Sequence, residues 1–271
     1  MKFGICNEIF AGWPLERTFA FARQAGYDAV EIAPYTIAKR ITDLSPADRA
    51  KIRESAKRAG SAISGLHWLL VQVEGMHLTD ADDAVRRRTA RYFVDLVNAC
   101  ADLGGNRLIL GSPKQRNLAP GVSPEVGWQR ATDVLRDAVR CAEDRGAVLC
   151  LEPLAPNETN FINTAEEARR FTAQFASPAM SIILDVKAMC AEPKPIPQIV
   201  RESAGSFAYF HANDANLKGP GFGDTDFRPI VAALREVAYD GMVSVEVFKF
   251  EEGPEAIATR SREYLRQVFG A

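Results

Sequence analysis

Four side chains at the ends of apolar runs could act together. Glu152 closes "AVLCLEP" (147–153), Asp185 falls in "SIILDV" (181–186), His211 in "FAYFHAND" (207–214) and Glu246 in "VSVEVF" (243–248). Two glutamates, an aspartate and an imidazole make a mostly oxygen donor set for a hard or borderline divalent cation. Mn²⁺, Co²⁺ or Mg²⁺ suits it better than copper or a structural zinc. Three carboxylates packed together repel one another unless a cation sits between them. Glu31 in "AVEIA" (29–33) and His67 in "AISGLHW" (62–68) end two earlier runs. Each residue has a plain reading when taken alone: a strand-end glutamate as a loop salt bridge, His211 or His67 as a packed core histidine. Ionisable groups are seldom buried without a partner or a metal. Recurrence at the ends of four consecutive runs therefore favours one shared site.

The elements that must position these groups alternate along the whole chain. Apolar runs occupy 2–6, 29–33, 62–68, 107–111, 147–153, 181–186, 207–214 and 243–248. Helical patterns occupy 15–25, 46–59, 80–103, 124–145, a stretch after Thr164, and stretches near 195–203, 227–237 and 254–268. Thr164 and Glu167 have capping-box spacing, Asp226 is placed to cap the next-to-last helix, and Gly104-Gly105 reads as a helix stop. Continuously apolar strands suit a parallel sheet covered by helices. Eight strand–helix units predict an α/β fold of the (β/α)8 TIM-barrel type, a single domain over 1–271. Catalytic groups of such barrels lie at the C-terminal strand ends, where the six ionisable residues fall. "CNEIFAGW" after the first strand is not a glycine-rich phosphate loop, so a dinucleotide fold and a nicotinamide cofactor are disfavoured.

The 271 residues match one barrel of about 250 residues, and 47% apolar content supplies a sizeable core. The formal charge is −2 with no basic block, which disfavours nucleic acid. No run approaches the roughly 18–20 apolar residues of a membrane span, and the N-terminal stretch does not read as a secretory signal. Five scattered cysteines without a C-x-x-C predict free thiols and a cytoplasmic location.

The stretches "GYDAVEIAP" (26–34), "GLHWLL" (65–70), "LEPLAPNETNFINT" (151–164), "ILDVKAM" (183–189), "FHANDAN" (210–216), "GFGDTDF" (221–227) and "GMVSVEVF" (241–248) give the chain a family resemblance. It resembles the sugar-phosphate isomerase/epimerase group of xylose-isomerase-like barrels, which includes ketose 3-epimerases such as D-tagatose 3-epimerase. The resemblance implies that Glu152, Asp185, His211 and Glu246 bind one divalent metal, usually manganese. It also implies that Glu152 and Glu246 form the acid/base pair, and that Glu158 contacts substrate. His67, Glu31, Trp13 and Phe248 are further substrate-side expectations, with Glu31 alternatively supporting a site residue and the two aromatics forming apolar walls. The implied partner is a small carbohydrate, and relatives commonly pair through barrel helices, so a homo-oligomer is expected.

Proton abstraction next to a carbonyl, through an enediolate, serves an epimerase or an aldose–ketose isomerase. It serves a lyase or dehydratase on a keto-sugar or inositol derivative equally well. A repair endonuclease of the same superfamily needs many histidines, and this chain has three. Two positions depart from the ketose 3-epimerase pattern. Ala188 stands where a histidine follows the strand-six aspartate, and Leu217 where an arginine follows the strand-seven histidine. Lys187 and Lys218 adjoin these positions and are expected to point elsewhere. Asp214 is expected to order its loop, His77 to lie in a loop, and the glycines of "GPGFGDTDF" (219–227) to let that loop turn and close.

Overall fold

In the computed structural model, which describes residues 1–270, eight parallel strands close into a barrel in sequence order. They are β1 (Lys2–Cys6), β2 (Ala29–Ile32), β3 (Ala62–Leu66), β4 (Arg107–Leu110), β5 (Val148–Leu151), β6 (Met180–Asp185), β7 (Phe207–Ala212) and β8 (Met242–Val245). Closure is made by β1 against β8, with Ile5 opposite Val245. The helices between them are α1 (Leu15–Gln24), α2 (Pro46–Arg58), α3 (Asp83–Leu103), α4 (Pro124–Arg145), α5 (Ala165–Ala173), α6 (Val186–Met189), α7 (Ile196–Glu202), α8 (Phe227–Glu236) and α9 (Pro254–Phe269).

Local chemistry explains where these elements start and stop. Ser45, Thr164 and Asp226 accept from main-chain N–H groups at the starts of α2, α5 and α8, as N-caps should. Helix α3 begins at Asp83 rather than 80, because the Asp82 carboxylate accepts from Ala84 N at 2.8 Å and so caps it there. Gly104 and Gly146 end α3 and α4 in left-handed conformation.

The larger apolar core lies between sheet and helices and includes Phe19, Phe93, Leu135, Phe171 and Leu234. A smaller cluster of Ile109, Cys150, Ile183 and Tyr209 fills the barrel interior. The Tyr209 hydroxyl there donates to Ser64 Oγ at 2.9 Å, joining β7 to β3. Toward the C-terminal end the interior becomes polar: Cys6, Glu31, His211 and Ser244 are all fully buried. All five cysteines are free. Among the described residues no helix is long and apolar enough to cross a membrane.

Candidate active site

Barrel closure brings the four strand-end groups together. Glu152, Asp185, His211 and Glu246 each offer a ligand atom, and these atoms lie within 4.8 Å of one another at buried positions. Glu152 and Glu246 fall one residue beyond β5 and β8, yet their main chains remain in the ladder. Glu152 N donates to Leu110 O at 3.0 Å and Glu246 N to Ala212 O at 3.3 Å. The carboxylates thus stand on rigid backbone.

Two buried atoms facing this cluster have no hydrogen-bond partner: His211 Nδ1 and Glu246 Oε2, 3.1 Å apart. A divalent cation among two glutamates, an aspartate and an imidazole nitrogen would satisfy both. The donor set and the orphaned atoms fit such an ion. On its other side His211 Nε2 lies 3.1 Å from Glu31 Oε2 and 3.2 Å from Oε1. With Nε2–H donated to Glu31, Nδ1 is left free for a metal. Cys6 Sγ in turn lies 3.6 Å from Glu31. The Asp185 carboxylate is oriented twice: Oδ1 accepts from Ala188 N at 2.7 Å and Oδ2 from the Asn213 side chain at 2.6 Å. Asp185 is therefore both a member of the cluster and the N-cap of α6.

The electrostatics are those of crowded carboxylates. Burial, with Glu246 and Asp185 nearby, pushes Glu152 up to about 8. Burial also raises Asp185, and Glu246 adds to it. Glu246 goes the other way: burial acts to raise it, but His211 and His67 outweigh burial and hold it well below the usual carboxylate range. A dication in their midst favours the ionised form of all three.

A cavity opens over the cluster, with His67, Trp68, Glu158, Lys187 and Phe248 in its wall. His67 lies between two glutamates, its Nε2 3.0 Å from Glu8 Oε2 and its Nδ1 3.4 Å from Glu246 Oε1. Trp68 Nε1 donates to Glu246 Oε1 at 2.9 Å, and its ring lies 6.0 Å from that of Phe248. Fully buried Arg116 donates to the Glu152 carbonyl at 2.7 Å, which pins the main chain behind that carboxylate. Gly111 leaves room for the Glu152 carboxylate in its present position: a Cβ there would lie 2.3 Å from Glu152 Oε2.

Several expectations are corrected. Lys187 does not point away. It enters the cavity, with Nζ 2.9 and 3.0 Å from the two Glu158 oxygens and 4.3 Å from the Phe248 ring centre. The cause is α6, whose first turn, capped by Asp185, turns Lys187 inward. Burial acts to lower the Lys187 pKa, but Asp185, Glu152 and Glu158 more than offset it, so the ammonium is held charged. Lys218 does point elsewhere and pairs with Glu252. Glu31 is fully buried against His211 and does not line the cavity, a placement that matches the alternative of supporting a site residue. Trp13 also fails to reach the cavity. It packs on Phe10 and Phe21, with the Arg17 guanidinium 3.4 Å over its ring.

The loop 213–226 is held by hydrogen bonds at several points in this conformation. Asp214 accepts from the main-chain N–H groups of Asn216 and Thr225, and the Leu217 carbonyl accepts from Phe248 N and Lys249 N. The loop's glycines permit close packing. A Cβ on Gly223 would meet Asp214 Oδ1 at 2.2 Å, and one on Gly221 would meet Tyr264 Cβ at 2.8 Å.

Glu8, Trp68, Asn213 and Arg116 escaped the reading of the sequence. Glu8 and Asn213 sit just past β1 and β7, and a search of every strand end for polar residues would have found them. Trp68 and Arg116 carried no such signal.

The chain belongs to the xylose isomerase-like TIM barrel family, whose pattern matches residues 19–268. It is 28% identical to the L-ribulose 3-epimerase of Mesorhizobium japonicum, over 91% of this chain and 80% of that one. It is 25% identical to the 3-dehydro-D-guloside 4-epimerase of Escherichia coli, over 98% of this chain and 99% of the other. Its fold superposes on a crystal structure of a D-psicose 3-epimerase determined in the presence of D-fructose. The TM-score is 0.88 at 22% identity, with both chains covered completely.

Proposed function

We propose that this chain, one catalytic domain, is a divalent-metal-dependent epimerase acting on a keto-sugar or sugar derivative. The observation that carries the reading is the cluster of Glu152, Asp185, His211 and Glu246 around two orphaned buried atoms, opening into a cavity with polar and aromatic walls. The named relatives, epimerases of ketoses and of a keto-glycoside, support it.

Glu152, Asp185, His211 and Glu246 would hold the ion, which supplies Lewis-acid polarisation of a substrate carbonyl. The residues themselves bind, orient and move protons. Glu152 faces the cavity from β5 and takes or returns the proton on the substrate carbon. Glu246 does the same from β8, its Oε1 fixed by the Trp68 indole N–H. Two carboxylates acting from different strands can remove a proton from one face and replace it on the other, which is what an epimerisation requires. Each such group contributes about 10²–10⁴-fold. The Glu158–Lys187 pair offers acceptors and donors to substrate hydroxyls, and Trp68 and Phe248 supply apolar walls. Mn²⁺ is the ion this oxygen-rich set suits. The free cysteines fit a cytoplasmic enzyme, and a homo-oligomer is the expected assembly.

The test combines metal analysis of the purified protein with NMR of keto-sugars in D₂O. Stoichiometric divalent metal, deuterium at the epimerised carbon, and a loss of about 10²-fold or more in Glu152→Gln support the reading. Absence of bound metal after reconstitution, with Glu152→Gln as active as the parent, overturns it. Loss of water or of an aglycone instead of inversion would make the enzyme a lyase.

A further inference from the structure

The space over the cluster has two parts. The inner cavity, bounded below by Glu152 and Glu246, measures about 80 Å³. A second space of about 440 Å³, a groove open to solvent on the side of exposed Asn157, Cys190, Ala191 and Ala215, adjoins it and shares Glu158, Lys187 and Phe248 as common wall. The rest of the outer wall comes from Ala155, Asn157, Cys190, Ala191, Ala215 and Leu217. The only charged side chains on it, Glu158 and Lys187, are paired at 2.9 Å, so the groove presents no net charge. Apart from that pair and Asn157, its residues are small or apolar.

The wall is a built feature rather than a gap between mobile loops. Leu217 holds φ at +73°, a strained region for a side chain of its kind. Its N–H donates to Asp214 O at 2.8 Å and its carbonyl accepts from Phe248 N at 2.9 Å. Leu217 supplies an apolar side chain to this wall. A substituent on a sugar seated over the cluster can extend past the Glu158–Lys187 pair into the adjoining groove, with which the inner cavity shares a wall.

We propose that the outer groove is a subsite for a neutral, apolar substituent, such as the aryl or alkyl group of a glycoside or of an N-linked amine. The natural substrate is then a substituted keto-sugar, not a free ketose. This deepens the epimerase reading and rests on it.

Matched pairs test it with Mn²⁺-loaded enzyme: 3-dehydro-D-glucose against phenyl 3-dehydro-β-D-glucopyranoside, and D-fructose against 1-anilino-1-deoxy-D-fructose. The aryl member of at least one pair is expected to show kcat/KM tenfold or more above its free partner, mainly through KM. Ala191→Trp and Ala215→Trp, which fill the groove, are expected to cut that ratio at least tenfold, with melting temperature and metal content certifying each variant. Equal or better turnover of the free sugars, or a ratio that survives both tryptophans, overturns the inference while leaving the epimerase reading intact. If no keto-sugar reacts, the epimerase reading fails and binding decides the subsite. Calorimetric binding of unreactive phenyl β-D-glucopyranoside, weakened tenfold in Ala215→Trp, supports the subsite, and no binding overturns it.

Discussion

Glu31 has no access to solvent and does not line the cavity, yet it is a direct partner of the His211 ring. Its carboxylate occupies the Nε2 side and leaves Nδ1 facing Glu246. Outer partners of this kind typically contribute about 10–100-fold to metal affinity. Glu31→Gln is therefore expected to weaken Mn²⁺ binding by about that factor, read by calorimetry on the apo-protein. Lys187 acts on the other side of the site, where it organises Glu158 and contacts the Phe248 ring. Lys187→Ala is expected to raise KM more than it lowers kcat, because it removes a proposed binding group and leaves the carboxylates proposed to transfer protons in place. A steady-state comparison on one reacting keto-sugar measures the split.

At the scale of elements, the strained backbone is concentrated over the site. Trp68, Gln72, Ser112, Ile162 and Leu217 have positive φ, and all lie in loops that follow barrel strands at the C-terminal face. Such conformations persist where surrounding structure over-determines them. Trp68, at φ +53°, is held by its bond to Glu246. The loop after β7 is equally constrained, and Gly223→Ala is expected to cost about 1–3 kcal/mol by forcing a Cβ onto Asp214. Urea denaturation reads that cost, and no loss would mean the loop yields easily. Thr164→Ala is expected to cost about 1 kcal/mol through the lost cap of α5.

Over the whole molecule, the cluster draws its members from β5 to β8 and their ends, while its supports come from the other side of the barrel. Glu31 belongs to β2, and Glu8 and His67 follow β1 and β3. A cation held by Glu152, Asp185, His211 and Glu246 would tie strands together and relieve their mutual repulsion. Mn²⁺ at a hundred times its dissociation constant is expected to stabilise the fold by about 2.7 kcal/mol, reversibly on chelation. Thermal melts with and without chelator check this, and a His211→Ala variant should lose most of the difference.

The sequence by itself determined the barrel and the four-residue cluster. Unbroken apolar runs alternating with amphipathic helices allow few other folds, and strand ends in such a fold share one face. Individual partners and directions were decided only in three dimensions. Lys187 turns inward because a four-residue helix, too short for a periodic signal, starts on Asp185. Trp13 turns out because it packs against Phe10 and Phe21. Glu31 meets His211, 180 residues away, only when the barrel closes. A repeating pattern of hydrophobicity records which face of an element is buried. The rotation of a loop residue, and the identity of what lies across a barrel, depend on contacts between distant segments that no local pattern records.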